Sequence, residues 1–171
     1  MIRKGKRYVR PKKLYEKSRI EEENALAERY GLKNKREIWK TISKVSYYRR
    51  RAKALAKSSS EEQEVLFGKL RDLGLKTESV ADVLALSVED ILRRRLPSIV
   101  VQKKLAHTVR QARQMVVHKN VRVDGRVVNV PSYLVSVADE QKITVKALPR
   151  PASKSTKEKE SAAEPKTEAI E

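Results

Sequence analysis

The chain has 171 residues, of which 40 are Lys or Arg and 22 Asp or Glu, a formal net charge of +18 with a pI near 10.2, so a polyanionic partner is the default expectation. It contains no cysteine and only two histidines, His107 and His118, which excludes a disulfide framework and a thiolate metal site and leaves too few ligands for a zinc centre. Apolar runs such as Ile99-Val100-Val101 fall far short of the roughly 20 residues of a spanning helix, and the basic start MIRKGKRYVRPKK precedes no signal-peptide core, so the sequence reads as soluble and intracellular, with no membrane partner and no cofactor.

Charge divides the chain. Residues 1–57 carry 20 basic and 6 acidic side chains, residues 58–92 carry 3 and 8, residues 93–148 carry 12 and 3, and residues 149–171 carry 5 and 5. Two basic surfaces are therefore expected on either side of an acidic connector, followed by a neutral tail. Residues 1–17 read as a basic arm, with Arg3, Lys4, Lys6 and Arg7 placed to meet phosphates once the arm's self-repulsion is neutralised. The tail, residues 149–171, is rich in Lys, Glu, Ala, Ser and Pro and cannot bury enough apolar surface to offset its chain entropy, so it is expected to be disordered.

Between arm and connector two helices are expected. Ser18 with Glu21 has the spacing of a capping box and Gly31 suits a left-handed helix end. Asn34 with Glu37 repeats the start signal, and Ile38, Ile42 and Val45 recur at helical spacing towards Leu55. The end of that second helix carries Tyr47, Tyr48, Arg49, Arg50 and Arg51, with Lys53 and Lys57. Such a run is ordinarily a solvated face; inside so basic a block it is assigned to phosphate contact, with the tyrosines able to stack on bases or sugars.

The connector reads as packing material. Ser60 with Gln63 opens a helix bearing Val65, Leu66, Leu70 and Leu73, Gly74 closes it, and Ser87 with Asp90 opens another running into Leu92. Its carboxylates, among them Glu61, Glu62, Glu64 and Asp72, cluster where a helix dipole favours them, which accounts for them better than a catalytic pair does.

From Arg93 the pattern changes. Pro97 fits the first turn of a short helix through Lys104, and Thr108 with Gln111 opens a helix to about His118. On it Val109, Ala112, Met115 and Val116 are expected to turn inward, and Arg110, Gln111, Arg113 and Gln114 largely outward. Val121 and Val123 alternate with Arg122, Asp124-Gly125 makes the turn, and Val127, Val128 and Val130 continue a partner strand. Cations on a helix pair clipped to a hairpin can meet a phosphate ribbon in register.

Those residues carry a resemblance. Arg95-Leu96, the run VRQARQ from Val109 to Gln114, Val116-Val117-His118, Val121 to Gly125 and Asn129 to Tyr133 resemble the S-four RNA-binding domain. The flanks Arg19 to Asn24, Tyr30 to Glu37 and Ser87 to Leu92 resemble the archaeal and eukaryotic branch of the fourth small-subunit ribosomal protein family, the match covering roughly residues 2–148. The resemblance implies a structural component of the small subunit, cytoplasmic and ribosome-associated, that binds small-subunit rRNA at a multi-helix junction in the body. It implies a role early in assembly, neighbouring ribosomal proteins as partners, and a position near the mRNA entrance. By motif it assigns RNA contact to Arg94, Arg95, Arg110, Gln111, Arg113, Gln114 and Arg122, and less directly to Lys103, Lys104 and Lys119. The family often places a glycine after the helix-ending histidine, where this chain has Lys119-Asn120, and another between the paired helices, where it has Leu105-Ala106-His107; the departures add a cation at the loop, and Asn120 can take a left-handed conformation at modest cost.

Two other classes fit part of the pattern. An RNA-modifying enzyme would need a nucleophile-base set, phosphate loop or metal motif in the preceding 90 or so residues, which show none. A non-ribosomal RNA-binding factor would share the S-four domain but not the matching N-terminal block. The expected architecture is α+β: a helical region over residues 18–92 packed with an S-four domain over 93–148, itself a helix pair plus a small twisted sheet.

Overall fold

The computed structural model describes residues 8–146. Arg3, Lys4, Lys6 and Arg7 of the arm and the tail assigned to residues 149–171 lie outside the described residues. In chain order the elements are α1 (Lys17–Arg29), α2 (Lys35–Leu55), α3 (Ser60–Asp72), α4 (Val80–Ala85), α5 (Val88–Arg93), α6 (Leu96–Gln102), α7 (Val109–Val117), β1 (Val121–Val123), β2 (Arg126–Val127), α8 (Val137–Glu140) and β3 (Ile143–Val145). The α+β organisation expected from the sequence is the one observed, with helices up to residue 93 and then a helix pair leading into a three-stranded antiparallel sheet of order β2-β1-β3.

Four helices end in the same way. In each, one residue takes a positive φ while its N–H and the next residue's N–H close back on the last turn, which satisfies carbonyls the helix leaves orphaned. Gly31 and Gly74 do so at φ 57° and 75°, with Leu32 N donating to Ala27 O at 2.9 Å and Leu75 N to Leu70 O at 3.0 Å. At the ends of α6 and α7 the position is filled by Lys104 (φ 58°) and Lys119 (φ 61°), with Leu105 N on Val100 O and Asn120 N on Met115 O, both at 3.0 Å. Lys119, not Asn120, is thus the left-handed residue, because the closing bond fixes which residue follows the helix. A non-glycine there costs roughly 1–2 kcal/mol. Lys119→Gly is expected to raise stability by about 1 kcal/mol, an increase in Tm of roughly 2–4 °C by thermal melt; an unchanged or lower Tm would remove strain from the account of this turn.

Start signals are less faithful to the sequence. Ser87 with Asp90 forms the expected reciprocal box, and Ser79 with Asp82 forms one that the sequence reading did not assign. Thr108 caps α7 by accepting from Gln111 N, while the Gln111 amide oxygen accepts from His107 N, not from Thr108. Ser18, Asn34 and Ser60 make no such box. Helix α1 begins at Lys17 after Glu16, Gln63 donates to the carbonyls of Leu55 and Ser58, and Glu37 is drawn away by arginines described below.

Two apolar clusters hold the chain. One joins α2, α3 and α4 through Ala52, Leu66, Phe67, Leu70, Val83 and neighbours; the other joins α6, α7 and the sheet through Leu96, Ile99, Val100, Ala112, Val116, Val121, Val123, Val135 and Ile143. Ala112, Met115 and Val116 face inward as expected. Ile42 and Val65 are exposed, so each helix buries a narrower stripe than its spacing suggested. Asp124 and Gly125, at φ 50° and 76°, make the hairpin turn that only left-handed residues close tightly. The partner strand stops at Val127, and β1 takes β3 on its other edge, pairing Val121 with Val145 and Val123 with Ile143. Segment Tyr133–Val135 closes the entrance to α6: Leu96 N donates to Tyr133 O at 2.9 Å and Val135 N to Arg94 O at 3.0 Å.

Candidate nucleic-acid interface

On α7 the sequence repeats apolar residues with helical period, so the buried Ala112, Met115 and Val116 fix the rotation of the helix about its axis. Arg110, Gln111 and Gln114 are consequently exposed. The two lysines that follow the helices, Lys104 and Lys119, are also exposed, and so is Arg122, whose neighbours Val121 and Val123 are both buried. These side chains sit on elements locked to one core, so they move as a unit and can meet successive phosphates or base edges without being ordered first.

Other cations expected at the RNA are engaged inside the protein. Arg113 was read as outward-facing, yet its guanidinium donates to Glu37 Oε1 at 2.7 Å, to Glu37 Oε2 at 3.1 Å and to Gly31 O at 3.3 Å. Arg95 is 5% exposed and donates to Glu37 Oε2 at 2.6 Å. Burial pushes the Glu37 carboxyl pKa up, but hydrogen bonds from Arg113 and Arg95 and their charges outweigh it and hold the carboxyl below its ordinary range. Arg94 pairs with Glu140 at 2.9 Å, donates to Val135 O at 3.2 Å and lies against Gly74, where a Cβ would meet its Cζ at 2.7 Å. Lys103 donates to the Glu140 carbonyl. A buried acid draws in the nearest arginine because the alternative is an unpaired charge away from water, and composition alone cannot show which arginines are so taken.

The end of α2 divides similarly. Arg49 donates to Leu86 O at 2.7 Å, and Tyr48 is half-buried against the helical core, its hydroxyl pKa raised by that burial and by Tyr47. Arg50 is exposed, as are Tyr47 and Arg51, which share a hydrogen bond of 3.1 Å; the two tyrosine rings meet edge-on at 5.6 Å. Sequence reasoning missed Lys40 and Lys44, which sit one turn apart on α2 and line a groove of about 400 Å³ against Arg95, Arg113 and the loop from Pro131 to Leu134. Their i,i+4 spacing was visible, but only the fold brings that helix face to the loop. Arg126, which opens β2, is also exposed and was given no role from the sequence.

Among the described residues no group of His, Cys, Asp and Glu could hold a metal ion, and no helix is long and apolar enough to cross a membrane. The family model described as the S4 domain matches residues 94–140, the span from α6 to α8. Among curated relatives, the "Small ribosomal subunit protein uS4" of Methanothermobacter thermautotrophicus is 45% identical over 144 residues, covering 81% of this chain and 84% of that protein. The protein of the same name from Methanosphaera stadtmanae is 42% identical over 144 residues, covering 81% and 79%. That of Picrophilus torridus is 40% identical over 148 residues, covering 81% of each. At 40–45% identity over most of its length, this chain belongs to the uS4 family of small ribosomal subunit proteins, structural components of the particle and not enzymes.

Proposed function

We propose that the chain binds small-subunit rRNA at a multi-helix junction in the body of the subunit, acts early in its assembly, and lies near the mRNA entrance of cytoplasmic ribosomes. The observation that carries the reading is the division of cations on the S-four domain. Arg94, Arg95, Lys103 and Arg113 hold the protein together. Lys104, Arg110, Lys119 and Arg122 are left exposed on elements that share one core. Gln111 and Gln114 flank Arg110 and add hydrogen-bonding groups. Tyr47, Arg50 and Arg51 form a second contact region at the end of α2, and the basic arm with Arg3, Lys4, Lys6 and Arg7 adds charge for phosphates.

Each phosphate neutralised contributes a slope of about 0.7–0.9 to the fall of log affinity with log salt. With roughly six phosphates met, the slope for rRNA should be about 4–5. Filter binding across a salt series measures it, and a slope near zero would remove phosphate contact as the basis of binding. Co-sedimentation with mature small subunits in high salt separates an integral component, which stays, from a loosely bound factor, which washes off.

A further inference from the structure

Residues 8–16, the described part of the basic arm, are tied to α1 and α2 at two points. Glu23 on α1 is buried, and a carboxylate away from water needs donors. Its Oε1 accepts from Arg19 at 2.7 Å and from the Trp39 indole at 2.9 Å, with Lys35 3.5 Å from Oε2. The same Arg19 guanidinium donates to the carbonyls of Lys13 and Leu14 at 2.9 and 3.0 Å, and the Tyr8 ring meets that of Trp39 with centroids 6.0 Å apart. Through Arg19 and Trp39 one carboxylate therefore holds both ends of the segment from Tyr8 to Leu14. The next residue, Tyr15, is 91% exposed and lies between that clamp and the start of α1 at Lys17. Its backbone is held on both sides while its ring is left to solvent.

Around the ring, residues 9–17 carry Arg10, Lys12, Lys13 and Lys17 against Glu16. All four cations are exposed, and Lys17 makes only a long ion pair to Glu21, at 3.9 Å. An exposed tyrosine by itself is ordinary. A tyrosine on a fixed backbone among cations is the arrangement that holds single-stranded nucleic acid, the cations following the phosphates while a base stacks on the ring. A duplex would satisfy the cations alone, because paired bases have no free face for the ring except at an end. We propose that Tyr15 stacks on one unpaired base of the bound rRNA, with Arg10, Lys12 and Lys13 on the phosphates beside it, and that Arg19 presents the ring by holding the Lys13 and Leu14 carbonyls. The inference rests on the rRNA-binding reading and deepens it. Because the clamp is set when the protein folds, little ordering of this segment is left to oppose binding.

Full-length variants test it: Tyr15→Ala, Tyr15→Leu, which keeps apolar bulk without an aromatic face, and Tyr15→Phe, which keeps the ring. Val65→Ala, a truncation of an exposed side chain on the acidic connector, is the control. The readouts are affinity for small-subunit rRNA and 2′-hydroxyl acylation of that RNA at nucleotide resolution, with thermal melts confirming the fold, which so exposed a side chain should barely affect. Tyr15→Ala and Tyr15→Leu should each lose roughly ten- to hundredfold in affinity, as for the loss of one stacked base, and should restore reactivity at the same unpaired nucleotide. Tyr15→Phe and the control should protect it as wild type does. Arg19→Lys keeps a cation beside Glu23 but cannot span two carbonyls, so it should expose that nucleotide and leave the rest of the footprint in place; full protection there would overturn the role given to the clamp. Wild-type affinity and footprint in Tyr15→Ala would overturn the stacking assignment while leaving rRNA binding intact, and so would Tyr15→Leu binding as well as Tyr15→Phe. An unchanged footprint in Tyr15→Ala with loss of a neighbouring protein from reconstituted particles would overturn it too, since the ring would then pack on protein. Failure of the wild-type protein to bind rRNA would overturn both readings.

Discussion

Replacing Glu37 with alanine should lower the stability of the whole protein by about 3 kcal/mol, the low end of the roughly 3–5 kcal/mol typical of removing one partner from a buried ion pair. The lower figure reflects the partial exposure of the pair, with the Arg113 side chain 21% and that of Glu37 18% exposed. The loss arises because Arg95 stays behind, almost fully buried and without its counter-charge. In a chain of this size about 3 kcal/mol corresponds to a fall in Tm of roughly 6–12 °C. Glu37→Gln keeps the shape and loses the charge, so a smaller fall is expected. Acid should act on wild type in the same way. The folded pKa of Glu37 is lowered relative to the ordinary value of 4.5, so its contribution is complete above that value and disappears as the pH falls through the lower folded pKa. The stability gap between wild type and Glu37→Gln should therefore be full near neutrality and close in acid. A Glu37→Ala protein melting within a degree of wild type would show that the clasp between α2 and α7 contributes nothing.

The same residue shows where the sequence was readable and where it was not. Asn34 followed by Glu37 has the local spacing of a capping box, and the helix does begin there. The box does not form because Glu37 has partners 58 and 76 residues away, which no local pattern encodes. Where no distant partner competes, as at Ser87 with Asp90, local spacing was sufficient. Gly31, Gly74 and Asp124-Gly125 were legible because glycine and, less readily, aspartate favour positive φ, whereas Lys104 and Lys119 take the same conformation with no such mark in the sequence. The inward face of α7 was legible because four apolar side chains repeat at its period. Arginine carries no such mark: Arg110 and Arg113 are the same residue one turn apart, and only the packing of Gly31 and Glu37 against α7 directs the second of them inward. Strand β3 was hidden for a related reason, since it joins β1 across some 20 residues of loop and short helix.

That distinction between the arginines yields the sharpest test of the interface. Arg110→Ala combined with Arg122→Ala removes two exposed guanidiniums from different elements of the same rigid unit. Surface changes usually shift stability by no more than about 0.5 kcal/mol each, so the Tm should stay within a few degrees of wild type. Loss of a phosphate or base contact commonly costs about 1–3 kcal/mol. The pair should thus weaken rRNA binding on the order of a hundredfold at moderate salt. If both arginines meet phosphates, the salt slope should drop by about 2; a smaller drop with the same loss of affinity would assign one of them to a base edge, because base contacts release fewer counterions. Arg113→Ala should behave in the opposite manner, destabilising the protein by leaving Glu37 half-served and Gly31 without its donor, with RNA affinity lost chiefly in proportion to unfolding. Normal binding by the Arg110, Arg122 double variant, together with a severe and stability-neutral loss from Arg113→Ala, would place the RNA on the groove side of α7 and not on its exposed face.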